Sequence, residues 1–307
     1  MGNDVAYNIM NTFKTFPAKI LLFGEHIINK GANGLALPFH KYNCTLSFEK
    51  TAKTLTESKE VLSLIHNQIE NDEILDARFD NVEFLQDIET ENLVINMNIP
   101  VGYGLGSSGA ICAGVYEHYC HSKKKKAKKV QKILGRLESA FHGKSSGLDP
   151  IVSYLDIAVL VKEDKTETVD FQLENVAEFH TFLVDTKQAR KTAPLVEKFL
   201  RKYNTDRAFS STISNEIAPL TNEIIEDFTS YQLAGTYSKI KKLSKLQLEN
   251  FQDFILEKHI PIWEKALKKN DFYLKVCGAG GGGFMLGFCK DKAKVLEVFD
   301  ADEVIFV

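Results

Sequence analysis

Two periodicities run along the chain. Up to about residue 175, apolar runs of strand length (AKILLFGEH, NCTLSFEK, NLVINMNIP, IAVLVKE) alternate with segments whose apolar residues recur every three or four positions. Strands alternating with helices predict a mixed layer structure. From about residue 190 the helical period dominates, in TAPLVEKFLRKY, IAPLTNEIIEDF and LEKHIPIWEKALKK. Two strand-like runs, DFYLKVC and FMLGFC, then flank a glycine cluster. The pattern predicts an α+β protein of two units, residues 1–175 and 176–307, packed together because no Pro- or Gly-rich linker separates them.

Composition narrows the class. A chain of 307 residues with 44% hydrophobic and 26% charged positions has what a folded core requires. The net charge of −3 gives no general attraction to nucleic acid, and the lysine run KKKKAKK at 123–129 reads first as a solvated loop or helix end. Cys44, Cys112, Cys120, Cys277 and Cys289 are odd in number and scattered, so neither a disulfide framework nor a zinc site is expected and a reducing cytoplasmic setting fits. No membrane partner is expected either. The longest apolar stretch, IVSYLDIAVLV, is broken by Asp156 and falls far short of the ~20 residues of a span. The start MGNDVA puts Ala6 where a myristoylation signal needs Ser or Thr, and it is no signal peptide.

Four segments carry chemistry. In PVGYGLGSSGA, Gly102, Gly104, Leu105, Gly106, Ser107, Ser108 and Gly109 lie between a strand pattern and a helix pattern. Glycines let backbone N–H groups approach a ligand, and a helix N-terminus adds donors and positive charge, which suits a phosphate. Alone, the motif is as readily a packing turn, and it is neither a Walker A loop nor a GxGxxG fingerprint. In ESAFHGKSSGLDP, Glu138 ends a helical face and Asp149 follows in the next loop, offering one carboxylate for a metal and one for a proton. Taken singly, these are a solvated helix residue and a turn residue before Pro150. In KVCGAGGGGFMLGFC, five glycines among six residues, with Ala279 between Gly278 and Gly280–Gly281, exceed what a hairpin needs and predict a wide loop pressed on a ligand or on the other glycine loop. Finally, PAKILLFGEHIINKG sets Lys19 in a strand and Glu25 and His26 at its end, where a strand-end lysine and a structural histidine are the plainer readings.

In this order the four segments resemble the GHMP kinase family, over nearly the whole chain from Pro17 to Gly287. Within it they look most like the mevalonate kinase branch: GEH after AKILLF, HGKSSGLD, and DTKQARKTAPLV with Thr186, Lys187, Arg190 and Thr192. Galactokinases carry an Asp soon after Gly-Glu-His, where Ile27, Ile28 and Asn29 stand here, which disfavours a sugar. Three positions depart from the family pattern: Ala18 before the lysine, Tyr103 inside the glycine loop, where it is expected to narrow the nucleotide pocket, and PIVSYLDI without the usual Gly-Gly.

The resemblance implies a two-domain GHMP kinase architecture, with an N-terminal mixed α/β domain bearing the phosphate loop and a C-terminal ferredoxin-like α+β domain. It implies ATP on residues 102–109, Mg2+ held through Ser108 and Glu138, Asp149 as base and Lys19 beside it. Mevalonate, a small hydroxy acid, is the implied acceptor, with Glu25, His26, Arg190 and Thr192 bordering it and Gly278, Ala279, Gly280 and Gly281 nearby. A homodimer is left open. A kinase for phosphomevalonate or another small hydroxyl compound is the second expectation, and a non-catalytic binding protein of the same fold the third.

Overall fold

The computed structural model describes residues 13–49, 55–124, 126–163 and 165–307; the MGNDVA reading and Lys125 of the lysine run lie outside them. The N-terminal half is built on an antiparallel sheet of β1 (Thr15–Phe23), β2 (Gly34–Phe48), β3 (Leu93–Met97), β4 (Val159–Lys162) and β5 (Lys165–Thr168). The long β2 is the hub, pairing with β1, β3 and β4. Pro17 has no N–H to give the ladder, and the register slips there, from Pro17↔Asn43 to Ala18↔Phe39. Beyond the bulge Lys19 pairs with Pro38.

Helices α1 (Leu55–Glu70), α2 (Glu73–Asp76), α3 (Asn81–Glu89), α4 (Ser107–Tyr119), α5 (Ala127–His142) and α6 (Leu148–Leu155) cover the sheet, α4 and α6 lying against each other and on β1 and β2. Helix α4 is buried nearly all round, from Gly109 to Tyr116, as a central helix of small and apolar residues must be.

The C-terminal half runs β6 (His180–Asp185), α7 (Thr192–Thr205), α8 (Arg207–Thr212), a π-helical turn (Ile213–Ile217), α9 (Ala218–Thr229), α10 (Thr236–Asn250), α11 (Ile260–Lys269), β7 (Phe272–Lys275), β8 (Phe284–Cys289), α12 (Lys292–Leu296) and β9 (Val304–Phe306). Its sheet order, β7-β8-β6-β9, all antiparallel, gives the β-α-β-β-α-β ferredoxin-like pattern with an enlarged first helical crossover. Residues 169–179 connect the two sheets.

One core unites the halves. Phe23, at the end of β1, packs its ring against Phe228 of α9 at 5.1 Å and lies parallel to Phe288 of β8 at 5.8 Å. Such pairs contribute about 0.5–1.5 kcal/mol each beyond the area they bury. The seam therefore fixes the end of β1, and with it the Gly24-Glu25-His26 turn, against the C-terminal sheet.

Candidate active site

The first glycine loop leads directly into α4. Gly102, Gly104 and Gly106 take positive φ of 80°, 76° and 74°, and Gly106 is the N-cap residue, so Ser107, Ser108 and Gly109 form the first turn with amide donors left over at the helix end. Lys19 N donates to Leu105 O at 2.9 Å, which ties the loop to β1. Gly109 is where α4 meets α6: a Cβ there would stand 2.7 Å from Pro150 N and 2.8 Å from the Asp149 carbonyl carbon. The missing side chain thereby brings Asp149 to the start of α4.

Two carboxylates meet at this point in different surroundings. Lys19 Nζ, on a side chain 6% exposed, forms an ion pair with Asp149 Oδ1 at 2.9 Å, and Asp149 keeps 34% exposure. Asp149 also lies in the first turn of α6, where the helix dipole favours a negative charge. Glu138, near the end of α5, is buried; Ser108 Oγ donates to its Oε1 at 2.9 Å and the Ser145 hydroxyl donates to its Oε2. Burial first, and then the nearby Asp149 charge, push the Glu138 carboxyl up to about 7, against the pull of the two serines and Lys19. One carboxylate is thus partly open and paired with a lysine while the other is hidden and reluctant to ionise, a division of surroundings found where acid–base and metal chemistry share a site.

Among the described residues no group of three or more His, Cys, Asp and Glu could hold a metal on its own. The donor set of Glu138 and Ser108 still suits a hard cation that takes its other oxygens from a bound phosphate.

The remaining expected residues divide. His26, with φ 62°, stacks on Phe199 at 4.8 Å, and its Nε2 donates to Ala279 O at 3.0 Å. Burial lowers its pKa to about 4, so the ring is neutral at physiological pH. Arg190 lies between the two glycine loops. Its N donates to Gly102 O at 3.0 Å, its Nη1 donates to Cys277 O at 3.0 Å and to Gly282 O at 2.8 Å, and a Cβ on Gly104 would stand 2.1 Å from its Nη2. Arg190 Nε is buried without a partner among the described residues, an N–H left over for an anion.

Glu25 does not face open space. It is 3% exposed and forms a buried ion pair with Lys275 of β7. Thr192, the first residue of α7, is exposed, and among the described residues no hydrogen bond joins it to the cluster.

The third glycine segment is pressed on the first, backbone to backbone. A Cβ on Gly283 would stand 2.6 Å from Tyr103 O. Tyr103 itself sets its ring edge-on to Phe284 at 5.4 Å, so the expected narrowing of a pocket is better described as a strut from the first loop to the C-terminal sheet. Sequence reasoning missed Lys275 and gave Ser145 no role. A lysine inside the apolar run FYLKVC was the available signal for the first, and the serine's place in HGKSSGLD for the second.

A family model described as the GHMP kinases N terminal domain matches residues 72–156, and one described as GHMP kinases C terminal matches residues 225–301, together just over half of the chain. The chain belongs to the GHMP kinase family. It is an ATP-dependent small-molecule kinase. Relatives of this GHMP kinase include the mevalonate kinase of Dictyostelium discoideum, 24% identical over 91% of this chain and 87% of that one. Another is the mevalonate kinase of Methanocaldococcus jannaschii, 25% identical over 94% and 96%. In fold it is similar to Streptococcus pneumoniae phosphomevalonate kinase in complex with phosphomevalonate and AMPPNP, with a TM-score of 0.65 at 15% identity over 96% of this chain and 98% of that one. One fold thus serves GHMP kinases named for different acceptors, and the acceptor has to be read from side chains.

Proposed function

We propose that the chain is a mevalonate kinase, transferring the γ-phosphoryl group of ATP to the primary hydroxyl of mevalonate to give 5-phosphomevalonate. The observation that carries this reading is the Lys19–Asp149 ion pair, 2.9 Å long, set at the N-terminus of α4. The names of the curated relatives support the choice of acceptor.

ATP phosphates lie on the amides of residues 102–109. Ser108 and Glu138 would hold Mg2+, which would neutralise phosphate charge during transfer. The acceptor hydroxyl loses its proton to Asp149 as its oxygen forms a bond to the γ-phosphorus and the bond to ADP breaks. Lys19 holds Asp149 in place and offers its charge to the transferring group. Alignment and charge do this work without a covalent enzyme intermediate.

Arg190 offers its spare Nε–H to the acceptor carboxylate, and neutral His26 together with Gly278, Ala279, Gly280 and Gly281 shapes the wall. Thr192 joins them only if the start of α7 moves toward the site. With only five arginines in the chain, an acceptor with a single carboxylate is favoured over one carrying a phosphate. Five free and buried cysteines accord with a reducing cytoplasmic compartment. Among the described residues no helix is long and apolar enough to cross a membrane.

Asp149→Asn tests the assignment. It should lower kcat by at least about two orders of magnitude while ATP still binds, as loss of a general base does. Near-normal turnover in a folded variant would remove Asp149 from the chemistry.

A further inference from the structure

Ser145 has no part in the chemistry described above, yet its hydroxyl is bonded on both sides. It is half-buried on the loop between α5 and α6. Its Oγ accepts from Gly147 N at 2.9 Å, and its own proton goes to Glu138 Oε2. Gly147 is the N-cap residue of α6, the helix that holds Asp149 in its first turn. One hydroxyl thus joins the carboxylate assigned to the metal and the start of the helix that carries the base.

The loop is pinned along one face of α5. Gln131 Nε2 donates to Ser146 O at 3.0 Å, a Cβ on Gly147 would stand 2.3 Å from Gln131 O, and a Cβ on Gly135 would stand 3.2 Å from Ser145 O. Gln131, Gly135 and Glu138 recur at helical spacing, so the contacts that fix the loop and the carboxylate it meets share one side of the helix.

The second oxygen of Glu138 faces the phosphate loop. Ser108 Oγ stands 2.9 Å from Glu138 Oε1. Magnesium takes oxygens at about 2.0–2.1 Å in a near-ideal octahedron, which sets two neighbouring ligands about 2.9 Å apart. The Ser108–Glu138 pair already spans one octahedral edge, and a cation there requires the Ser108 proton to turn away.

We propose that Ser145 is a positioning residue for magnesium: it holds Oε2 of Glu138, so that Oε1, beside Ser108 Oγ, is the oxygen presented to the cation. This rests on the reading of Ser108 and Glu138 as the metal pair. Without the hydroxyl at position 145, a buried carboxylate loses one of its two serine donors and can turn about its last side-chain bond. The cation then meets a loose ligand and is held less tightly, since outer partners of a ligating group are typically worth about 10–100-fold in metal affinity.

The test is the affinity of the full chain for ATP at pH 8 without acceptor, measured by calorimetry with Mg2+ and again with EDTA. The ratio of the two affinities isolates what the protein gives the metal. Wild type should bind at least about tenfold more tightly with Mg2+, and Glu138→Gln should bring the ratio to within about twofold of one. S145A and S145V should each lower the wild-type ratio at least about fivefold while affinity in EDTA stays within about threefold of wild type. S145T, which has the shape of valine with the hydroxyl restored, should keep the ratio within about twofold of wild type.

A wild-type ratio in S145A and S145V, beside a ratio near one in Glu138→Gln, overturns the proposal and leaves the metal pair standing. Equal losses of affinity with and without Mg2+ overturn it as well, because they mark a role in folding the loop and none toward the cation. Should S145A not fold, the difference between S145T and S145V carries the test alone: at least about fivefold supports the proposal, and equal ratios overturn it. A Glu138→Gln ratio equal to that of wild type would instead remove the metal pair itself, and the proposal with it.

Discussion

Glu138→Gln should make the protein more stable and destroy its activity. A carboxyl whose pKa is raised from 4.5 to about 7 resists ionisation in the fold, and at about 1.36 kcal/mol per pH unit the penalty reaches about 3 kcal/mol once the group is fully charged. The sign follows from the direction of the shift. The folded state holds this proton more tightly than the unfolded state, so stability is highest below pH 4.5, falls as pH rises from 4.5 to about 7, and is level above. Glutamine keeps the shape and an oxygen for one of the two serine hydroxyls, its amide nitrogen facing the other, at a cost of about 1 kcal/mol. At pH 8 the variant should therefore gain about 2 kcal/mol, and at pH 4 it should equal or fall about 1 kcal/mol below the wild type. Urea unfolding of both chains at the two pH values reads this difference, and the same preparations assayed with MgATP should show turnover reduced by at least about a hundredfold. If the difference between variant and wild type is the same at pH 4 and pH 8, the account of Glu138 as a buried carboxylate kept for a metal fails.

Gly109→Ala forces α4 away from Asp149 and Pro150, because its Cβ has backbone atoms at 2.7 and 2.8 Å, and should cost about 1–3 kcal/mol by overpacking with a parallel fall in kcat; chemical denaturation and kinetics check both. His26, held near 4 by burial, disfavours the fold as pH drops from 6.5 toward 4, so His26→Phe, which keeps the stacking on Phe199, should flatten part of the acid loss of stability. His259, lowered to about 4 in the same way, and His118, also lowered by burial, retain the rest, and melting curves between pH 7 and 4 measure how much His26 accounts for. Asn222 on α9 accepts from Asn33 N at 2.6 Å and donates to Gly31 O at 3.0 Å, so Asn222→Ala should loosen the turn after β1, cost about 1–2 kcal/mol, and show as faster amide exchange across residues 31–34.

The strands and helices with a strong period were legible. AKILLF, NLVIN and FMLGFC form β1, β3 and β8, and TAPLVEKFLRKY and IAPLTNEIIEDF form α7 and α9. Strand β6 was not anticipated: HTFLVD is short, and the two strands that pair with it, β8 and β9, lie about a hundred residues or more later in the chain. The glycine loops were legible as loops because their density has no purpose in an ordinary turn.

That the third loop would press on the first was one of its two readings; which glycine faces which backbone was not legible, since it depends on the docking of two sheets. The same limit applies to side chains. Glu25 in Gly-Glu-His looks like a site residue, and only the arrival of Lys275 from a strand 250 residues later turns it into half of a seam. Arg190 was expected at the acceptor; the fold gives most of its guanidinium to loop carbonyls and leaves Nε unpartnered. Lys19, Ser108, and Glu138 with Asp149 were named from three separate stretches, and it is the closeness of Gly109 to α6 that brings them to one point.

The central claim is phosphoryl transfer to mevalonate, and it is tested most directly by magnesium-dependent ADP release from ATP, run in parallel on mevalonate, phosphomevalonate, homoserine, galactose and no acceptor. The account predicts turnover on mevalonate, abolished by removing magnesium, with the other four at the level of the acceptor-free control. Turnover on phosphomevalonate with none on mevalonate would contradict it.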